Sequence, residues 1–171
     1  MRQADLSPLA VALGLCLVNL GSAAAAPRIG EKAPAFVGAT IDGQVLDLSA
    51  FRGALVIVNV WATWCPPCRA EMPMLDAFAK SHAAENVVIV GLSADRRRDL
   101  ADVRQAMAPF SYKAALLSEA KVNAFGAPAA LPETLIIDPE GVVRTILINE
   151  DKPLTAEALT SAVAAVQAKV K

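Results

Sequence analysis

The sequence predicts a single α/β domain built on a mixed β-sheet. Short β-branched runs alternate along the chain with longer segments whose apolar residues recur at helical spacing, and this alternation favours parallel strands joined by helices. Turn signals near both ends of the pattern predict β-hairpins, which would add antiparallel strands to the sheet. With 171 residues, 55% of them apolar and only 19% charged, the chain can bury one core of ordinary size and is too hydrophobic to be disordered.

The first predicted elements are a hairpin and a central strand. Within residues 35–49, two short apolar runs flank Asp42 and Gly43, a frequent two-residue hairpin turn. We expect this hairpin to extend the sheet at its N-terminal end. The β-branched run over residues 54–62 is bounded by Gly53 and by prolines, which predicts a strand buried on both faces at the centre of the sheet.

A helix is predicted next, over residues 66–83. Met72, Leu75 and Phe78 recur there at helical spacing, and Pro73 should bend the helix because proline lacks the amide hydrogen of a helical bond. The further predictions, in chain order, are a buried strand over 86–93, a helix over 96–108, a short strand over 112–117, about two helical turns over 119–125, a hairpin over 133–148 with its turn at 138–141, and an amphipathic closing helix over 155–169.

The N-terminal segment, residues 1–26, has the pattern of a signal peptide. Arg2 precedes an apolar stretch over residues 9–20, and small residues of the A-x-A type close the segment. Cleavage there would release a domain of residues 27–171 into the periplasm or another exported location, where disulfide chemistry is available. The alternative is an uncleaved membrane anchor, because the apolar stretch and its small-residue end approach the length of the shortest spanning helices.

The charge balance argues against nucleic acid as a partner. The chain carries 16 Lys and Arg against 17 Asp and Glu, a formal net charge of -1, so no excess of cations is present to displace counterions from phosphates. Three cysteines and one histidine can scarcely supply the about four ligands of a structural zinc site. We therefore expect no metal, and we assign the single histidine, His82, to the surface near a helix end without a functional role.

The candidate chemistry lies at Cys65-Pro66-Pro67-Cys68, where the central strand meets the following helix. Thiols three residues apart on the first helical turn can reach disulfide distance. Cys65, at the helix start, would face free amides and the positive end of the helix dipole, which stabilise a thiolate and make this cysteine the nucleophile. Cys68 would lie deeper and resolve a mixed disulfide by attacking Cys65. Pro66 and Pro67 fit the first turn and stiffen it.

Two other uses of the cysteine pair stay open. A static disulfide would stabilise the fold, although closing so short a loop removes little chain entropy. Both thiolates could instead bind cuprous ion in a copper chaperone, because soft sulfur ligands suit that ion. We expect the redox-active disulfide to be the only redox group, without a separate cofactor.

The segment from Val58 to Pro73, with its Trp-Cys-x-x-Cys core, resembles the active-site segment of the thioredoxin superfamily, and within it the exported TlpA/ResA/DsbE-like branch. The similarity extends from about Phe36 to Gly141. The resemblance implies a thioredoxin-like fold, a central mixed sheet flanked by helices with an N-terminal β-hairpin extension and an insertion after the motif. It also implies thiol-disulfide exchange with client proteins, for example in cytochrome c maturation, and a membrane-bound thiol electron donor.

Leu131 and Pro132 match the place where this family has a cis proline facing the CxxC loop. A cis bond turns the chain sharply and can leave the backbone of the preceding residue free to pair with an extended peptide. The resemblance therefore implies that Leu131 and Pro132 contact the substrate, together with Pro66 and Pro67. An ordinary trans proline at this position, or Pro128 as the cis residue, is the alternative.

Three further residues take expected roles from the matched motif. Glu71 matches an acidic residue of the branch, one helical turn beyond Cys68, where it could exchange a proton with that thiol. Its alternative is a solvated helix glutamate. Asn59 departs from the buried aspartate of thioredoxin itself, which shifts the expected proton transfer towards Glu71. Trp64 is expected at the rim of the site in contact with partners, and Trp61 in the core.

The sequence thus predicts an exported protein thiol-disulfide oxidoreductase that reduces client disulfides through Cys65 and Cys68. The same motif would serve a disulfide-forming oxidant if the reduced state were strongly stabilised, because the reduction potential sets the direction of exchange. A thiol peroxidase is not favoured, since its nucleophile usually lies in a threonine-containing loop without the CxxC partner.

Overall fold

The computed structural model describes residues 26–148 and 153–170. Apart from Ala26, the predicted signal peptide lies outside this range. No helix in the two described ranges has the length and the apolar character needed to cross a membrane. The strands are β1 (Phe36–Ala39), β2 (Val45–Asp47), β3 (Leu55–Trp61), β4 (Val87–Ser93), β5 (Lys113–Leu116), β6 (Val122–Asn123), β7 (Glu133–Ile137) and β8 (Val143–Ile148), and the helices are α1 (Pro66–Ser81), α2 (Leu100–Met107) and α3 (Ala156–Val170).

The central sheet is mixed, as predicted, with the strand order β5-β4-β3-β7-β8. Strands β3, β4 and β5 run parallel, whereas β7 pairs antiparallel with both β3 and β8. Every residue of β3 is buried, which confirms the predicted central strand. Because β7 runs against β3, the start of β7 lies beside the end of β3, and Val60 is paired with Glu133. This pairing brings the segments around Cys65 and Pro132 to the same edge of the sheet.

The two faces of the sheet bury separate cores. On one face, Ile57 and Trp61 pack in a cluster with residues of all three helices, including Leu75, Val103 and Leu159. On the other face, the cluster consists of strand and loop residues such as Phe36, Leu46, Val58, Leu135 and Phe125. The alternation of side chains along each strand produces this division.

The predicted N-terminal hairpin is present, but it does not extend the central sheet. Strands β1 and β2 pair antiparallel, and Gly43 has the positive φ of 84° that its turn requires. The hairpin forms a separate three-stranded sheet with β6, joined to the central sheet through one isolated bridge between Thr40 and Ala115. Phe36 and Leu46 explain the difference, because their burial draws the hairpin over the face of the central sheet.

The helical turns predicted over residues 119–125 are wrong. The chain forms a short 3-10 turn over Leu117–Glu119 and then the strand β6, which pairs antiparallel with β1. Backbone amides of Lys121 and Ala124 donate to carbonyls of Val37 and Ala35, each at 2.8 Å. The hairpin, distant in sequence, thus supplies hydrogen-bond partners that outweigh the local helix propensity.

The other predicted elements are confirmed. Helix α1 continues through Pro73, where the expected bend stays a prediction. The segment over 96–108 divides into a 3-10 turn and α2, and the turn at 138–141 joins β7 to β8. Leu159, Val163 and Val166 of α3 face the core, as their spacing predicts.

Candidate active site

Cys65 and Cys68 form a disulfide at the start of α1, with their Cα atoms 5.3 Å apart. Cys65 is the N-cap residue of the helix, and its Sγ accepts a hydrogen bond from the amide of Cys68 at 3.3 Å. Cys65 keeps 4% of its surface exposed, whereas Cys68 is fully buried. The free amides and the dipole of the helix therefore favour a thiolate at Cys65, the cysteine that keeps some exposure.

The loop that leads into the disulfide is anchored by Asp95, a residue that the sequence analysis did not single out. Asp95 is buried just beyond the end of β4. Its carboxylate accepts hydrogen bonds from the amide of Thr63 at 2.9 Å, from the Thr63 hydroxyl at 2.6 Å and from the Ser93 hydroxyl at 2.7 Å. An aspartate directly after a buried parallel strand was the available signal, because such strands end at the same edge as the central strand.

The Leu131–Pro132 peptide bond is cis, as predicted from the matched motif, and Pro128 is not the cis residue. A groove with a volume of about 510 Å³ lies beside this bond. One wall contains Trp64, Cys65, Pro66 and Pro67, and the other is formed by residues 128–131. The side chain of Trp64 is 67% exposed and stands at the rim.

The groove therefore brings together four of the predicted contact residues, Trp64, Pro66, Pro67 and Leu131, next to Cys65, the predicted nucleophile. Pro132 is buried behind them. Contact of these residues with a client stays a prediction.

Glu71 is buried on α1, only 1% exposed, so the alternative of a solvated glutamate is wrong. The amide of Leu154 donates to its Oε1 at 2.6 Å, while Oε2 has no hydrogen-bond partner among the described residues. Burial raises the pKa of Glu71, and the Leu154 amide and the Asn59 side chain oppose this shift. A carboxyl with a raised pKa one turn beyond Cys68 is suited to exchange a proton with that thiol, and this role stays a prediction.

Asn59, a fully buried residue of β3, lies in the same region of the core as Glu71. Its amide group donates to the hydroxyl of Thr134 on β7 at 3.0 Å, and its Oδ1 has no partner within the described ranges. Trp61 is fully buried, which confirms its expected place in the core. The residue at this strand position, Asn59, is thus a neutral amide, and the expected shift of proton transfer towards Glu71 stays a prediction.

Glu133 is a second buried carboxyl that the sequence analysis missed. It follows the cis proline directly, is only 8% exposed, and burial raises its pKa. Adjacent strand residues point to opposite faces, and Thr134 points towards Asn59, so Glu133 points to the face away from α1. An acidic residue at the first position of a short strand that ends in three apolar residues was the signal that could have identified it.

His82 ends α1, where its ring stacks on Phe78 with the ring centroids 3.9 Å apart. Within residues 26–148 and 153–170, no three His, Cys, Asp or Glu side chains are placed together to hold a metal ion.

The chain has relatives of known family. The sequence model of the AhpC/TSA family matches residues 29–146. The thioredoxin-like protein YneN of Bacillus subtilis is 31% identical over 121 residues, which cover 70% of this chain and 71% of the relative. The thiol-disulfide oxidoreductase ResA of Bacillus anthracis is 31% identical over 125 residues, 72% of this chain and 71% of the relative.

Solved structures share the fold. A thiol:disulfide interchange protein of the thioredoxin family from Chlorobium tepidum superposes with a TM-score of 0.68 at 25% sequence identity. The alignment covers 82% of this chain and 99% of that structure. The described domain therefore has a thioredoxin-like fold.

Proposed function

The chain belongs to the AhpC/TSA family and is a thiol-disulfide oxidoreductase of the ResA type, and from this premise we propose that it reduces disulfides of client proteins outside the cytoplasm. One observation carries the proposal: the Cys65–Cys68 disulfide opens through its more exposed sulfur onto a groove walled by the cis-proline loop. A buried pair with one accessible member suits sequential exchange with a polypeptide.

The proposed reaction has two steps. The Cys65 thiolate attacks a client disulfide, a Cys65–client disulfide forms, and the other client sulfur leaves as a thiolate that takes up a proton. The Cys68 thiolate then attacks Cys65, which re-forms the Cys65–Cys68 disulfide and releases the second client sulfur. Two electrons pass from the protein to the client, and Glu71 accepts the proton that Cys68 loses. A membrane-bound thiol donor restores the dithiol.

The direction of exchange is tested by the reduction potential of the Cys65–Cys68 pair in the full chain, equilibrated against defined thiol buffers. We expect a value at or below about -220 mV, towards the range of thioredoxin at roughly -270 mV. A value near about -120 mV would make the protein a disulfide-forming oxidant and contradict the proposed direction.

The order of the steps is tested with a Cys68→Ala variant. We expect this variant to accumulate a mixed disulfide through Cys65, because nothing then resolves it. A Cys65→Ala variant serves as the control and should trap no client. Unchanged turnover in Cys68→Ala would refute the assigned roles.

We also propose that the protein is exported, either as a soluble periplasmic domain or on an N-terminal anchor. The composition of residues 1–26 supports this proposal. Fractionation of expressing bacteria, with the mass of the purified chain, decides the form. A periplasmic chain beginning near Pro27 indicates cleavage and an intact chain in the membrane fraction indicates an anchor, whereas an intact chain in the cytoplasm contradicts export.

Apocytochrome c is the client that we propose, on the basis of the motif resemblance to the TlpA/ResA/DsbE-like branch. The relevant chemistry is an oxidised C-x-x-C-H segment, the attachment site of c-type haem. We expect a disulfide peptide with this motif to be reduced with a higher kcat/KM than a scrambled peptide of the same composition. Equal kcat/KM values for the two peptides would contradict the proposal that apocytochrome c is the client.

A further inference from the structure

A second cleft lies on the other side of Trp64 from the groove. It has a volume of about 540 Å³ and separates the first half of α1 from α2 and the residues that follow α2. Arg69 and Met72 line it on α1, Asp102 and Gln105 line it on α2, and Phe110 lies at its end. A shallower pocket lined by Thr63, Trp64, Pro66, Arg69 and Ala70 joins this cleft to the redox site.

Shared lining residues link the groove, the joining pocket and the cleft into a candidate path for a client. Trp64 and Pro66 line both the groove and the joining pocket, and Thr63 and Arg69 line both the joining pocket and the cleft. A polypeptide whose target cysteine lies over Cys65, with one flank in the groove, can place its other flank across Trp64 and in the cleft between α1 and α2.

Arg69 gives this path its charge. It follows Cys65 by one helical turn, and its amide donates to the Cys65 carbonyl at 3.2 Å. Its side chain is exposed and makes no hydrogen bond or ion pair to another residue in the described part of the chain. Among the described residues that line the groove, the joining pocket and the cleft, Arg69 is the only cation.

The cleft also contains one anion, Asp102, which is exposed on the α2 wall. Asp102 does not line the joining pocket, so the charge next to Trp64 is that of Arg69 alone. A planar guanidinium with free donors pairs with a carboxylate in a fixed two-bond geometry. The stretch of the path nearest the disulfide thus favours an anionic side chain.

We propose that the cleft receives the flank of the client that leaves the groove and that Arg69 selects clients with a carboxylate side chain close to the target cysteine. This inference rests on the proposed function and adds the class of client. The pair is exposed to solvent, so the preference is modest, about two- to fivefold in kcat/KM, and it weakens as salt rises.

The test uses three disulfide peptides that differ only beside the target cysteine. One has glutamine on both flanks, one has glutamate on the N-terminal flank, and one has glutamate on the C-terminal flank. At low salt, we expect the full-length protein to reduce one of the two glutamate peptides about two- to fivefold faster, in kcat/KM, than the glutamine peptide. The ratio between peptides cancels any effect of Arg69 on the reactivity of Cys65.

Four variants test which residues cause the preference for a glutamate peptide. Arg69→Gln should abolish it, and Arg69→Lys should keep part of it, because lysine retains the charge without the two-bond geometry. Gln105→Trp, at an exposed position of α2, should narrow the cleft and reduce the preference. Arg28→Gln is the matched control: it removes the same charge near Val143, at the opposite edge of the sheet, and should leave every ratio unchanged.

The proposal is overturned if neither glutamate peptide is preferred, or if the preference survives in Arg69→Gln. If the preference for glutamate is lost in Arg69→Gln but intact in Gln105→Trp, the second flank of the client does not bind in the cleft. Failure of the proposed function looks different, since the glutamine peptide would then not be reduced at all.

Discussion

At the scale of single residues, two carboxyl groups are buried on opposite faces of the sheet near the redox site, and we predict that one of them, Glu71, takes part in proton transfer. Glu71 lies below the disulfide on the side of α1, and Glu133 lies on the other side directly after the cis proline. Burial raises the pKa of each, because a charged carboxylate loses hydration there. Each group therefore holds its proton at pH values where an exposed glutamate is ionised.

The Glu71→Gln variant tests the proton transfer. Glu71 can accept the proton of Cys68 only when it is ionised, so we expect the decay of the Cys65 mixed disulfide to accelerate as the pH rises through the raised pKa of Glu71. Glutamine should slow this decay by about a hundredfold and remove that pH dependence. Rapid quenching at a series of pH values, with detection of the mixed disulfide by mass, measures both effects.

The stability of the protein supplies the control for this variant. The folded state holds the Glu71 proton more tightly than the unfolded chain does, so the contribution of Glu71 to stability is full below the unfolded pKa and falls as the pH rises through the folded pKa. Glu71→Gln should remove this part of the pH dependence of unfolding. A variant that loses the pH dependence of stability but keeps that of mixed-disulfide decay would show that Glu71 has only a structural role.

At the scale of elements, two strand ends and one helix start form the redox site. Strand β3 delivers the loop before Cys65, the parallel β4 delivers Asp95 next to it, and the antiparallel β7 begins at the cis proline. Asp95 connects the first two, because its carboxylate binds both the amide and the hydroxyl of Thr63. The position of Trp64 and Cys65 therefore depends on the neighbouring strand.

An Asp95→Ala variant measures this connection. It leaves the Thr63 amide, the Thr63 hydroxyl and the Ser93 hydroxyl without their acceptor, so we expect the free energy of unfolding to fall by about 3 kcal/mol. Client reduction should fall as well, since the loop before Cys65 loses its anchor. Urea denaturation and peptide reduction are the measurements. Asp102→Ala, at an exposed position of α2, should change stability by no more than about 0.5 kcal/mol; an equally small change in Asp95→Ala would contradict the anchoring role.

The same scale explains which elements the sequence could predict. Asp42 and Gly43 specify the first hairpin locally, and the β-branched run of β3 is itself the signal of a strand buried on both faces. Strand β6 has no such local signal, because its two residues become a strand only through pairing with β1. The placement of the hairpin over the sheet face likewise follows from the burial of Phe36, which depends on the whole core.

The residues of the candidate site also differ in how far the local sequence predicts them. Cys65, Cys68 and Pro132 could be predicted because their chemistry is written in a contiguous motif or in a matched position. Asp95 and Glu133 have weaker signals, a position just after one strand and at the start of another, and their hydrogen bonds and burial depend on segments that are distant in sequence. Arg69 lies within the motif, but its relation to Asp102 and Gln105 exists only once the fold places α1 and α2 on either side of the cleft.

At the scale of the whole molecule, the redox state of the disulfide and the stability of the fold are linked. The same two cysteines are oxidised or reduced in both the folded and the unfolded chain. The folded and the unfolded chain each have a reduction potential for this pair. The difference between these two potentials, converted to a free energy, must therefore equal the difference in the free energy of unfolding between the oxidised and the reduced protein. A change of about 30 mV corresponds to about 1.4 kcal/mol.

The proposed direction of exchange fixes the sign of that difference. A protein that donates electrons holds its disulfide form more tightly in the folded state, so we expect the oxidised chain to unfold at a higher urea concentration than the reduced chain. An oxidant gives the reverse order, because its reduced form is the stabilised one. Urea midpoints of the two forms, with a Cys65→Ala/Cys68→Ala double variant as the control that should not respond to reductant, measure the sign independently of any client. A reduced chain more stable than the oxidised chain would contradict the reductant role even if peptide disulfides were consumed.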